Sequence, residues 1–287
     1  PEPMWFDYAL STNWRGRQLR EMLRPHLPTT GRRYLDVGCG FGGFLVAFAE
    51  LGYTVKGIEI DADRIVLSRA NCADHALQDC VHAGSVLDAT FTKTLGHFDV
   101  ITCIDVIEHV LDVPLALTHM ASLLNPGGVL LLEIPNLDSL NFVASDGHFG
   151  LCGITQLDRQ MAIEYHRTFF GFEYDVGEYH ELAFYRARLE TLGCETVLMT
   201  PGSHPARRVR QTPLLLANLC LRYTRFLARQ APHVPPQVFT RLHTALAVFF
   251  GRLAVRGLAA VTGSRAAIGF RDRYLVDFWT LLARKAK

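Results

Sequence analysis

The chain has 287 residues, 49% of them hydrophobic and 20% charged, which excludes a disordered, collagen-like or disulfide-stapled polypeptide and leaves one domain with an embellishment as the fitting size class. Its seven cysteines (39, 72, 80, 103, 152, 194 and 220) are odd in number and contain no CxxC pair, so they point to buried thiols in a reducing cytoplasm rather than to disulfides or structural zinc. The net charge of +1 hides an asymmetry: residues 204–271 carry eleven Arg and no Asp, Glu or Lys, which leaves the remainder at −10.

Taken in chain order, Met4 to Leu27 scatters Asp7, Arg15, Arg17, Arg20, Glu21 and Arg24 through its apolar positions. That is unlike a signal peptide and marks 1–30 as an N-terminal helical cap. From Arg33 onward, short β-like apolar runs alternate with helical patterns, as in a doubly wound, mostly parallel sheet. Strands are predicted at 34–37, 54–58, about 80–83, 98–103, 129–134, 196–199 and 276–283, with helices at 44–51, 62–73, 113–124 and 181–192. Asn125-Pro126-Gly127-Gly128 reads as a turn between a helix and a strand. The expected organisation is a core over 31–200, in which 137–180 caps the substrate side, then a basic helical insertion over 204–271 and a last core strand within 272–287.

The strongest motif is Leu35-Asp36-Val37-Gly38-Cys39-Gly40-Phe41-Gly42-Gly43, a strand running into a glycine loop that opens a helix. Glycines let backbone amides approach a ligand closely. Glu59 ends the next strand 21 residues after Gly38, where a carboxylate can accept hydrogen bonds from both ribose hydroxyls of a nucleoside. The spacing is GxGxG rather than the GxGxxG of nicotinamide-dependent oxidoreductases, which remain the rival reading.

With these residues, the fourth-strand run 98–103, the loop Asp105-Val106-Ile107-Glu108-His109-Val110, the Asn-Pro-Gly-Gly turn and the closing Asp277-Phe278-Trp279, the chain resembles class I S-adenosylmethionine-dependent methyltransferases, in particular small-molecule O-methyltransferases of the ubiquinone-biosynthesis type. The resemblance covers about residues 30–200 and the last dozen. It implies a seven-stranded Rossmann-like sheet with an antiparallel last strand, interrupted here by the helical insertion. It places Asp36, Gly38, Cys39 and Gly40 at the amino-acid end of the cofactor, Glu59 at the ribose and Ile60 at the adenine. Ser85 and Val86, Ile104 and Asp105 complete the expected cofactor set, with Ser85 standing where the family more often has an acidic residue. The implied reaction is methyl transfer to an oxygen of a small-molecule, sugar or lipid-linked acceptor. N- or C-methylation and a non-catalytic cofactor-binding module are the alternatives.

A hydroxyl acceptor must lose its proton as it attacks. His109, just past the fourth strand, is the first candidate base; His166 and His180 are the others, each lying in a segment expected to cap the pocket. Asp105, Glu108 and His109 also offer ligands for a divalent cation at close spacing, but without an identifiable fourth ligand no metal site is assigned.

In the basic segment, Pro213–Gln230 and Gln237–Val261 read as two cationic amphipathic helices. No uninterrupted apolar run there approaches a membrane span. Residues 204–271 are expected to pack against a second subunit or the acidic core, the alternative being an anionic membrane surface with a cytoplasmic protein at its inner face. Nucleic acid is not expected, because the aromatics are not interleaved with Arg as a stacking platform would require.

Overall fold

The structure is a computed structural model that describes residues 3–199 and 212–287, with side chains from Asp7 onward. Residues 204–211 of the expected insertion, with Arg207, Arg208 and Arg210, lie outside the described residues. The chain divides into two compact units: 1–133 with 186–198 and 280–287, and 134–185 with 199–279.

The first unit is built on β1 (Arg33–Val37), β2 (Thr54–Glu59), β3 (Val81–Ala83), β4 (Phe98–Cys103), β5 (Leu124–Pro135), β6 (Cys194–Met199) and β7 (Phe278–Lys285), in the order β3-β2-β1-β4-β5-β7-β6. The strands β3, β2, β1, β4 and β5 pair in parallel, with Val37 opposite both Ile58 and Cys103, and the last strands are antiparallel. Every residue of β4 is buried. A parallel strand covered by helices on both faces must be near-continuously apolar, which is why Phe98-Asp99-Val100-Ile101-Thr102-Cys103 was legible as a central strand. The helices are α1 (Pro3–Leu23), α2 (Gly43–Ala49), α3 (Ala62–Asp74), α4 (Ala89–Leu95) and α5 (Val113–Leu123). Asp61, Asp88 and Asp112 cap α3, α4 and α5 by accepting amide hydrogen bonds from Arg64, from Thr90 and Phe91, and from Leu115.

Two expectations change. The Asn-Pro-Gly-Gly turn falls inside β5: Phe98 pairs with Leu124 but Val100 pairs with Val129, so 125–128 form a bulge in a continuing ladder. Gly127 supplies the left-handed φ of +76° that the bulge needs. Cys220 is exposed, whereas the other six cysteines are buried as expected.

The second unit is helical, with α6 (Leu140–Ala144), α7 (Arg159–Arg167), α9 (Thr212–Arg229), α10 (Pro236–Thr262) and α11 (Ser264–Tyr274), while α8 (Leu182–Thr191) begins in it and ends in the first unit. Its core joins the segment after β5 to the basic region: Leu140, Val143, Ile154 and Tyr165 pack with Leu219 and Phe226 of α9 and with Val238, Leu242, Leu246 and Phe249 of α10. Arg273 pairs with Asp138 at 2.5 Å and with Glu181 at 2.7 Å inside this unit. A third helix, α11, was not anticipated, and α10 is long and apolar enough by length and composition to cross a membrane. Arg241, Arg252 and Arg256 interrupt its apolar run, as the sequence shows, without lowering its average apolarity below that of a span.

Candidate active site

In a doubly wound sheet, ligands bind beyond the carboxyl ends of the strands where the strand order reverses, here between β1 and β4. The turn after β1 and the loop after β4 meet at that point. Gly38 has φ +72°, and a Cβ there would lie 2.2 Å from Val106 Cγ2, so both its backbone angle and its neighbour demand glycine. Gly40, at φ +51°, differs: its Cβ would find nothing nearer than the Gly38 carbonyl oxygen at 4.0 Å, so this glycine faces open space.

The turn is tied to β2. The Ile58 carbonyl accepts from Gly38 N at 2.8 Å and from Cys39 N at 3.0 Å. Glu59, only 5% exposed, accepts from Gly40 N at 2.9 Å through Oε2, and from Ile60 N at 2.8 Å and Asp61 N at 3.1 Å through Oε1. The glycine turn and the β2 carboxylate are thus one hydrogen-bonded unit. Beside it Ile60 is 77% exposed, a large apolar side chain left uncovered. Ser85 Oγ accepts from Leu87 N at 3.1 Å, and Val86 is buried with its carbonyl 2.7 Å from His119 Nδ1. Cys39 and Ile104 are also buried.

Asp36 lies in a buried network beneath the turn. Thr102 Oγ1 donates to Asp36 Oδ1 at 2.7 Å and lies 2.6 Å from the Tyr34 hydroxyl. Burial pushes the Asp36 carboxyl up to about 7, with the Thr102 hydrogen bond opposing and the Glu59 charge adding to the rise.

Asp105, in the loop after β4, has a left-handed φ of +54° although it is not glycine, a conformation that costs on the order of 1 kcal/mol and clusters at functional sites. Two residues of α1 hold it: the Tyr8 hydroxyl donates to Asp105 Oδ2, and Arg15 Nη2 lies 2.8 Å from the same oxygen. The Arg15 guanidinium stacks 3.9 Å from the centre of the Tyr8 ring. Glu133, on β5, is raised to about 7 by burial first and by the nearby Asp105 charge second. Burial, with Asp105 adding, likewise raises the Tyr8 phenol.

The three candidate histidines are dispersed. His109 is exposed, on the 3-10 turn Ile107–His109 of the first unit. Its neighbour Glu108 is buried, and the two bring ligand atoms within 4.8 Å of each other. Asp105, grouped with them by spacing as a cation ligand, has its charge matched by Arg15 instead. His166 and His180 belong to the second unit. His166 is 1% exposed, its ring 4.7 Å from Phe170 in a stack and 4.4 Å from Phe149 edge-on; His180 stacks on Phe184 at 4.0 Å. Burial lowers the pKa of both, so both are neutral bases or hydrogen-bonding groups near pH 7.

Tyr8, Arg15 and Glu133 escaped the sequence reading. Glu133 left a signal, a lone carboxylate in the apolar run Val129–Ile134. Tyr8 and Arg15 left none, because 97 and 90 residues separate them from Asp105.

Among known proteins, ubiquinone biosynthesis O-methyltransferases are similar over part of the chain. That of Xanthomonas axonopodis pv. citri is 34% identical over 116 residues, 40% of this chain and 48% of the relative. That of Xanthomonas campestris pv. campestris (strain B100) is 39% identical over 107 residues, 37% of this chain and 44% of the relative. The chain thus spans about half the length of these relatives. In fold it is similar to a SAM-dependent methyltransferase from Archaeoglobus fulgidus, with a TM-score of 0.53 at 14% identity, covering 99% of this chain and 100% of that one. The methyltransferase domain profile matches residues 12–198, a stretch that takes in the glycine turn, Glu59 and the Asp105 loop, and the chain belongs to the methyltransferase domain family.

Proposed function

We propose that the protein transfers a methyl group from S-adenosylmethionine to an oxygen nucleophile of a small-molecule, sugar or lipid-linked acceptor. The observation that carries this reading is the union of the Gly38–Gly40 turn with Glu59 beside open space at Gly40. The residues fit the cofactor class that the family implies. A nucleoside with a zwitterionic tail needs close backbone approach, a carboxylate for its ribose, an apolar surface for its base and both signs of charge for its tail. Gly40 offers the first, Glu59 the second, the exposed Ile60 the third and the Asp105–Arg15 pair the fourth. Ser85, Val86 and Ile104, in the loops after β3 and β4, complete the wall of this site, while Asp36 and Cys39 support the turn from beneath.

Bound there, the cofactor supplies a sulfonium methyl carbon open to in-line attack. The protein's part is to position the acceptor and receive its proton. As the oxygen–carbon bond formed and the carbon–sulfur bond broke to release the thioether S-adenosylhomocysteine, His109 would take the acceptor's proton and pass it to solvent, to which its exposed ring is open.

Titration calorimetry with S-adenosylhomocysteine and with NAD tests the cofactor assignment. Heat with the first and none with the second is the expected result, and the reverse pattern overturns the reading. With a phenolic acceptor panel and methyl-labelled cofactor, His109→Ala is expected to lower label transfer by about two orders of magnitude while binding is kept; unchanged transfer removes His109 as the base.

A further inference from the structure

A helix on the surface of a water-soluble unit buries an apolar stripe and turns polar residues outward. α10 breaks the second half of that rule. Its inner stripe, including Leu242, Leu246 and Phe249, sits in the core of the second unit. Its outward stripe from Thr244 to Thr262 contains no charged residue: it presents Val248 at 54% exposure, Val255 at 68%, Leu258 at 74% and Val261 at 87%. At 1.5 Å per residue this uncharged face runs for roughly 27 Å, an exposed apolar surface of the kind that marks an interaction site.

The charge of the same unit narrows the occupant. Residues 212–271 carry eight Arg and no acidic residue. Some of these are matched from elsewhere in the unit, as Arg241 is by Asp158 at 3.7 Å and Arg252 by Asp138 at 3.6 Å. Arg222, Arg225 and Arg229 of α9, all exposed, have no acidic partner among the described residues. A second copy laid on this surface would bring like charge to like charge. Full insertion across a bilayer is opposed by the inner stripe, which is packed against protein along most of the helix. An uncharged apolar helix face and a row of unmatched Arg carried by one helical unit suit the headgroup plane of an anionic membrane.

We infer that the second unit docks on anionic lipid bilayers, with the Val248–Val261 stripe of α10 entering the interface and the arginines of α9 binding lipid phosphates. The docking is independent of the methyl-transfer reading.

The test is flotation of the full chain with vesicles of phosphatidylcholine alone and of phosphatidylcholine with one quarter phosphatidylglycerol. The protein is expected to float with the mixed vesicles and not with the neutral ones. Val255→Glu/Leu258→Glu, at outward positions, and Arg222→Gln/Arg225→Gln/Arg229→Gln should each cut the floated fraction about tenfold or more at an unchanged thermal midpoint. A Leu258→Trp variant supplies a second reading that needs no loss of binding: its added emission should shift to the blue with mixed vesicles only. The inference is overturned if the protein stays unfloated with both vesicles, if it floats equally with both, or if emission from position 258 does not move. It is equally overturned if the stripe proves to be covered by a second copy, seen as a dimer mass that Leu258→Glu halves with no flotation at all.

Discussion

Gly38 and Gly40 are two residues apart and share a left-handed backbone, yet they answer to different constraints. Alanine at Gly38 would thrust its Cβ to 2.2 Å from Val106 Cγ2, so the damage falls on the junction of two loops and therefore on the fold. Valine at Gly40 meets no protein atom within 4 Å of its Cβ except the Gly38 carbonyl oxygen, so beyond the roughly 1 kcal/mol for a left-handed non-glycine residue its cost falls on whatever occupies that space. Gly40→Val should therefore weaken S-adenosylhomocysteine binding by a factor of about 100 while lowering the thermal midpoint by only a few degrees, and Gly38→Ala should show a larger drop in midpoint. Calorimetry and thermal unfolding on the two variants separate the cases. Wild-type affinity in Gly40→Val would mean that the open space is not the ligand's. Glu59 is constrained in yet another way: three backbone amides converge on its carboxylate, so Glu59→Ala should unlatch the turn from β2 as well as remove the proposed ribose acceptor.

At the scale of elements, α1 and α2 meet through glycines on both sides. A Cβ on Gly16 would lie 2.3 Å from the Gly43 carbonyl oxygen, and one on Gly43 would lie 2.3 Å from the backbone of Thr12. This contact lets α1 lie against the helix that follows the glycine turn, and so brings Tyr8 and Arg15 to Asp105. Gly16→Val is expected to cost about 1–3 kcal/mol by overpacking and to weaken cofactor binding along with it, because the Arg15–Asp105 pair opens as α1 lifts. If calorimetry gave wild-type affinity for a clearly destabilised Gly16→Val, α1 would be a structural brace with no part in the site. The same helix shows where reading a sequence stops. The strands and the glycine turn were legible because they are written in short, near-continuous apolar runs and in local turn chemistry, and Glu59 was legible because its spacing from Gly38 is fixed by one helix between two strands. The bulge at 125–128 was read as a turn because Pro and Gly signal both. The join of α10 to α11 at Gly263 was missed because the Ala-rich composition continues across it. The Tyr8–Arg15–Asp105 cluster depends on tertiary packing alone, through glycines whose role appears only when two helices are placed in contact.

At the scale of the whole molecule, the near-neutral net charge conceals two carboxylates whose protons the fold retains. Asp36 is raised to about 7 by its burial, and Glu133 is raised to about 7 by burial and by Asp105. In the unfolded chain both ionise near their ordinary values of 3.8 and 4.5. Between those values and pH 7 the native state therefore binds more protons than the unfolded state, so stability falls as pH rises through this window and levels off above it, once both states have lost the protons. This is opposite to the behaviour of a carboxylate in a salt bridge, whose contribution grows with pH. Asp36→Asn keeps an acceptor for the Thr102 hydroxyl and removes the ionisation. It should match the wild type at pH 4 and exceed it at pH 8 by on the order of 2–4 kcal/mol, seen as a rise of roughly 5–10 °C in the thermal midpoint of the ligand-free protein. Glu133→Gln should act in the same direction and by less, because Glu133 is not fully buried and Arg15 lowers its pKa in part. Thermal unfolding of the three proteins at pH 4, 6 and 8 checks the argument. A wild-type midpoint that climbed from pH 4 to 8 while Asp36→Asn stayed level would show Asp36 to be ionised and paired in the native state, with a ligand-facing role in place of a buried, protonated one.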